Sequence, residues 1–277
     1  MASAAILDNR AVIGLEGGDS RDFLQGLITN DIGNCVPGRA IYAALLTPQG
    51  KILFDFLVAA VDGGLWIDCA SASASELAKR LGFYRLRAKV SIAAKAELVV
   101  AAVWNGPTIS AVANGTVFPD PKLAQLGIRV IAPRQQVESV LAAIPRNDYE
   151  SFRLQMGVPD SADMPPDQVF ALDAGLEELH GVSFTKGCYV GQEVTSRMKH
   201  RATARRRFYI AEAGAVPPAG TAIQAEGREL GRISSATGSR GLALIRLDRL
   251  AEAEQNNVPL SAGGKPIALH QPAWLNV

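Results

Sequence analysis

The chain has 277 residues, 48% of them hydrophobic, and sets 28 Lys and Arg against 27 Asp and Glu for a formal net charge of +1. That length and apolar content can bury a large core in two or three compact units and exclude a disordered chain, while near-neutrality argues against a protein whose main business is neutralising nucleic-acid phosphate. No stretch is apolar for the ~18 residues a membrane helix needs, and Cys35, Cys69 and Cys188 are too few, odd in number and scattered for a disulfide framework, which suits a reducing compartment.

The first residues lack a basic-then-apolar leader and run almost directly into a strand at 11–15. Asp19 or Ser20 caps a helix to about Leu27, and strands follow at 41–46, 52–60 and 65–69, separated by turns at Pro48-Gln49-Gly50 and Asp62-Gly63-Gly64. Ser73 or Ser75 opens a second helix carrying Leu77, Leu81 and Tyr84. Strands near Val90 and at 98–103, then a helix at 135–143 with Val137, Val140 and Leu141 on one side, continue a mixture that is not the regular alternation of a doubly wound fold. After a short helix at 190–198 the texture changes, with brief strands at 208–211, 221–224, 230–234, 242–245 and 267–270 punctuated by Gly and Pro, as in a small β-barrel. The expected organisation is α+β: an α+β region over 1–200 with a break near 105–120, then a barrel over 201–277.

Lys186-Gly187-Cys188-Tyr189-Val190-Gly191-Gln192-Glu193 gathers a cation, a thiol, two glycines and a carboxylate into eight residues, and the active centre is expected here. The glycines let the backbone turn tightly and approach a ligand. With a helix following, Cys188 is expected near its N-terminus, where unpaired N–H groups, the dipole and Lys186 all favour a thiolate. Other motif classes fall away: Gly14, Gly17 and Gly18 lack dinucleotide or P-loop spacing, and His180, His200 and His270 lack metal-ligand spacing, so no metal site is expected. The basic run Lys199, His200, Arg201, Arg205, Arg206, Arg207 has no interleaved aromatics before Phe208, so direct nucleic-acid binding is not expected.

The stretch 181–193, closing with Arg197, resembles the signature of the YgfZ proteins, folate-binding relatives of the glycine-cleavage aminomethyltransferase (T-protein) with a mitochondrial branch serving iron–sulfur cluster assembly. Phe23-Leu24-Gln25-Gly26-Leu27-Ile28-Thr29-Asn30-Asp31, Thr47-Pro48-Gln49-Gly50-Lys51, and Arg153 with Gly157-Val158-Pro159 match the same pattern in order. The resemblance implies two interleaved ferredoxin-like units and a C-terminal β-barrel around a central funnel, with tetrahydrofolate or a one-carbon-substituted folate as cofactor. It implies iron–sulfur client or assembly proteins as partners, and through the clients an effect on tRNA thiolation. The lack of an Arg- and Ser-rich presequence favours the cytoplasm.

A folate presents a pterin edge, an aryl spacer and a carboxylate tail. Glu193 is expected to accept from the pterin edge, as the acid of the relatives does, while Gly191 admits the ring and Tyr149 offers a stacking face. Lys186, Arg153 and Arg197 are candidates for the tail, and Tyr189, Gln192, Asn30 and Asp55 complete the expected binding set; Cys188 and Lys186 are the residues expected to do chemistry. Aminomethyltransferases carry two adjacent aspartates on the strand after the Gly turn, where this chain reads Phe54-Asp55, and neighbouring strand residues point to opposite faces. That departure puts aminomethyl transfer in doubt and leaves three functions open: an iron–sulfur accessory factor, a folate-dependent aminomethyl or one-carbon transferase, and a non-catalytic folate sensor.

Overall fold

The computed structural model describes residues 2–145, 147–201 and 204–276. The chain divides into two compact units, one made of Met1–Gln49, Leu53–Tyr149 and Leu179–Gln192, the other of Gly50–Ile52, Glu150–Glu178 and Glu193–Val277. Among the described residues no helix is long and apolar enough to cross a membrane.

The first unit holds two antiparallel sheets that share the chain in alternation. After β1 (Ser3–Ile6) the chain builds the other sheet with β2 (Arg10–Glu16), α1 (Ser20–Gln25), β3 (Ile41–Leu46), β4 (Ile52–Val61), β5 (Gly64–Ala70), α2 (Ala74–Tyr84) and β6 (Ser91–Ala94), in the strand order β3-β4-β5-β2-β6. It then returns through β7 (Leu98–Trp104), β8 (Thr116–Pro119), β9 (Ile128–Pro133) and α3 (Arg134–Leu141) to complete β1-β7-β9-β8, with Ser3 in register with Trp104. This is the interleaving that the family resemblance implies.

The helices dock as their spacing requires. Leu77 and Leu81 lie one turn apart on α2 and are fully buried in the core of the larger sheet, whereas Tyr84 faces outward. Val137 and Leu141 do the same for α3 against the smaller sheet. Asp19, expected to cap α1, makes no side-chain cap bond and accepts from the Lys89 amide at 2.8 Å instead.

β3 is an edge strand yet is buried at every position, so its open side must be covered. The cover is the segment after α1: Ile28 bridges Leu45, the Thr29 amide donates to the Ala44 carbonyl at 3.0 Å, and the Ala44 amide donates to Thr29 Oγ1 at 2.8 Å.

The second unit contains most of α4 (Tyr149–Met156) and α5 (Gln192–His200) and the barrel strands β10 (Arg206–Glu212), β11 (Ala222–Ala225), β12 (Arg228–Thr237) and β13 (Arg240–Arg246), followed by α6 (Leu247–Gln255), β14 (Leu260–Ala262), β15 (Lys265–Pro266) and β16 (Ala268–His270). These strands form one sheet in the order β15-β14-β11-β12-β13-β10-β16. β10, β11, β12, β13 and β16 fall where expected, whereas β14, β15, α4 and α6 are additions to the expected elements. α6 buries Leu250 and Ala253 and exposes its acidic residues, a helical pattern hidden between two strand signals.

Gly157 fixes the turn after α4. Its φ of +68° lies in the left-handed region, and a Cβ there would stand 2.6 Å from Pro272 Cγ and 2.9 Å from Ile210 Cγ1. Gly157→Ala is therefore expected to cost about 2 kcal/mol or more of stability, combining backbone strain with overpacking, and to lower the thermal-denaturation midpoint while Gly220→Ala, left-handed but in open space, costs less.

Candidate functional site

Lys186 is only 7% exposed. Its ammonium donates to the carbonyls of Gln25 at 2.6 Å, Ile28 at 2.7 Å and Asn30 at 2.9 Å, and lies 5.3 Å from the Tyr189 ring centroid. The Gln25 carbonyl is at the end of α1, where helix geometry leaves acceptors unsatisfied, and those of Ile28 and Asn30 belong to the segment past it. An ammonium has three donors, and all three are engaged. Burial pulls its pKa down to about 8 while Asp31 opposes the fall, so it is still charged at neutral pH.

Further bonds run parallel to this clamp. Thr29 Oγ1 donates to the Gly181 carbonyl at 2.6 Å, the Ser183 amide donates to the Thr29 carbonyl at 3.0 Å, and Asn30 Nδ2 donates to the carbonyls of His180 at 2.7 Å and Tyr42 at 2.8 Å. The loop from His180 to Tyr189 is thus stitched to the segment that covers β3. Asn30 works here through its amide as a structural link, with its Oδ1 accepting from the Asp31 amide.

Cys188 is exposed, while Cys35 and Cys69 are buried. Desolvation pushes the Cys35 thiol up to about 11 and the Cys69 thiol to about 12, so neither supplies thiolate at neutral pH. α5 begins at Gln192, later than the expected Val190, and Gly191 makes the entry turn with φ of +84°. Cys188 therefore stands in the loop about a turn ahead of the helix, and the dipole argument for its reactivity does not carry. Tyr189 is buried beside the clamp.

Glu193 and Arg197, expected at opposite ends of a folate, bond one another at 3.1 Å across one turn of α5, with the Glu193 side chain 89% exposed. Arg153 is buried in the second unit and spends its guanidinium on Glu150, on the Val158 carbonyl at 2.7 Å and on Asp163 at 2.7 Å. It locks the Gly157-Val158-Pro159 turn to α4. In the basic run, Lys199 pairs with Glu177 and Arg207 with Glu178, and Ala202 and Thr203 lie outside the described residues.

A buried polar network, mostly hidden from sequence reasoning, surrounds Asp55. Phe54 packs into the apolar core of the larger sheet, and Asp55 points the other way, accepting from Tyr42 Oη at 3.1 Å with Lys122 Nζ at 3.5 Å. Lys122 also sits 4.3 Å from the Tyr42 ring centroid, and its amide donates to Asp120. Asp120 accepts from Arg129 Nε at 2.9 Å, and Arg129 Nη2 donates to Tyr149 Oη at 2.7 Å. Tyr149 in turn packs edge-on against Trp104 at 5.6 Å. Two acids and two bases balance in this buried site, as burial of charge demands. Arg129 Nη1 is buried with no hydrogen-bond partner among the described residues. Only Asp55 and Tyr149 are legible in the sequence. Lys122, Asp120 and Arg129 lie far from the motif, though a Lys, an Asp and an Arg flanking an apolar strand are a signal for a paired cluster.

The architecture is that of an aminomethyltransferase-like protein. Its likeness to the crystal structure of glycine cleavage system aminomethyltransferase T from Bartonella henselae has a TM-score of 0.78 and covers 99% of this chain and 86% of that one, at 16% identity. Residues 205–277 match the family described as CAF17, C-terminal beta-barrel domain. Over 281 residues the chain is 32% identical to the iron-sulfur cluster assembly factor IBA57, mitochondrial, of Mus musculus, covering 88% of this chain and 77% of that protein, and it is 30% identical to the Homo sapiens counterpart with the same coverage. The chain belongs to the IBA57 family, whose bacterial relatives are the YgfZ proteins. These relatives, with those of Neurospora crassa and Pyricularia oryzae, are mitochondrial, which overturns the cytoplasmic placement and points to the mitochondrion. A compartment is addressed by segments that the folded domain does not need, so the composition of the domain does not encode it.

Thiol labelling checks the cysteine assignment. The native protein is expected to react with one equivalent of a small disulfide reagent and the denatured protein with three, and Cys188→Ser is expected to abolish the native reaction. Lys186→Met strands three carbonyl acceptors and is expected to destabilise by roughly 3 kcal/mol, read as a lower denaturation midpoint.

Proposed function

We propose that this protein is a tetrahydrofolate-binding accessory factor for the assembly or repair of iron–sulfur proteins, with Cys188 as its reactive group. The observation that carries this reading is the Lys186 clamp, which fixes the loop while leaving the Cys188 thiol open to a partner. A single thiol cannot supply the four ligands that such clusters usually take. The cluster is therefore cargo, touched by Cys188 together with ligands from a client or another assembly protein. Family membership supports the iron–sulfur half of the proposal, since the relatives are named assembly factors.

The folate half rests on donor chemistry. Arg129 has an unsatisfied buried N–H suited to a ligand carbonyl or carboxylate, and the Asp55 carboxylate, matched in kind to a pterin's N–H edge, and the buried rings of Tyr149 and Trp104 belong to the same network. These residues fit a folate, and when bound it would supply one-carbon chemistry. Glu193, freed from Arg197, remains a candidate for the pterin edge, with Gly191 and Gln192 beside it. An aminomethyl-transfer reading is less favoured, because one of the two strand aspartates is replaced by the core residue Phe54.

Deletion of the gene is expected to lower the activities of iron–sulfur enzymes, including those that thiolate tRNA. Wild type should restore them, Cys188→Ser should not, and Asp55→Asn should lose folate affinity by about tenfold or more, with the denaturation midpoint measured alongside to separate that loss from the destabilisation that loss of the Lys122 ion pair brings. Full rescue by Cys188→Ser would remove the thiol from the mechanism. Normal iron–sulfur activities in the deletion strain would remove the role itself.

A further inference from the structure

The second unit holds an open cavity of about 500 Å³, a volume typical of small-molecule sites, lined by residues of β12, β13, the start of β10, α6 and the segment around Asp163. Four guanidinium groups line it, those of Arg206, Arg232, Arg246 and Arg249, against two carboxylates, Asp163 and Glu229. Both carboxylates are committed. Asp163 is buried between Arg153, the Asp160 amide and the Ser235 hydroxyl, and Glu229 accepts from Arg232 at 2.7 Å. The wall is left with an excess of positive charge.

Two features of this wall lack an internal explanation. Arg206 and Arg246 stand directly opposite one another on β10 and β13, an arrangement in which like charges repel. Arg246 has a carboxylate in Asp248 at 2.7 Å, whereas the Arg206 side chain forms no ion pair among the described residues, its charge being felt only at longer range by Asp173, which accepts from its amide. Arg249 gives one N–H to the Glu229 carbonyl, while its Nε is buried with no hydrogen-bond partner among the described residues. A buried guanidinium N–H that the protein leaves unsatisfied marks a place for an external acceptor, and the planar fork of arginine suits oxyanions that accept two hydrogen bonds at once.

We infer that this cavity binds a small, multiply charged oxyanion, carried by a phosphate- or carboxylate-bearing molecule whose apolar portion rests on Val169, Leu230 and Leu244. The ligand bridges Arg206 and Arg246, which relieves their repulsion, and satisfies Arg249 Nε. This site lies wholly within the second unit and owes nothing to the cysteine loop, so it stands whether or not folate binds the protein.

Calorimetric titration of the full chain with pyrophosphate, and separately with citrate, at an ionic strength held constant with chloride, tests the inference. Saturable binding at one site is expected for at least one probe. Pyrophosphate alone identifies a phosphate ligand, citrate alone a polycarboxylate, and both a general oxyanion site. Arg206→Gln, an exposed residue whose loss leaves the fold intact, is expected to weaken binding about tenfold, and Arg249→Gln at least as much. Lys265→Gln, a cation of the same sheet outside the cavity, should leave it unchanged. Absence of binding for both probes, or equal affinity in wild type and Arg206→Gln, overturns the inference.

Discussion

The ammonium of Lys186, sunk among the carbonyls of Gln25, Ile28 and Asn30, holds together two stretches of chain that are far apart in sequence. A buried charge of this kind is tolerated only where hydrogen bonds replace its lost water. One acceptor, the Gln25 carbonyl, is free because α1 ends there, and the other two come from the irregular segment that follows. The energetic needs of the helix end and of the buried cation are met by one another. Gly187 and Cys188, the next two residues of the loop, are thereby carried to the surface.

The clamp also explains why the segment after α1 matters to the fold. That segment closes the open edge of β3, and Asn30 bonds both the His180 carbonyl of the thiol loop and the backbone carbonyl of Tyr42, whose hydroxyl donates to Asp55. The unit places these charges in balanced pairs, Lys122 with Asp55 and Arg129 with Asp120, so that each partner offsets part of the other's desolvation cost. Arg153 with Asp163 does the same in the second unit.

Family membership and divergence can be placed on particular side chains. Alternation along β4 decides the surroundings of its one acid: Phe54 joins the apolar core, while Asp55 lies with polar partners on the opposite face. The retained carboxylate is held by a tyrosine and a lysine rather than by a neighbouring acid.

Local pattern in the amino-acid sequence is enough to give the α+β class, β10, β11, β12, β13 and β16 of the barrel, the inward faces of α2 and α3, and the eight-residue motif, because periodicity and turn residues act over a few positions. It does not give α4 or α6, whose weak signals lie beside stronger strand signals, or the start of α5, which is set by the left-handed turn at Gly191. Side-chain roles are less legible still. A lysine two residues from a cysteine suggests a chemical pair; folding brings distant carbonyls to the lysine and leaves the cysteine to solvent. Which charges are buried together, as with Lys122 and Asp55, depends on strand order and register between distant segments, and only the tertiary structure decides those.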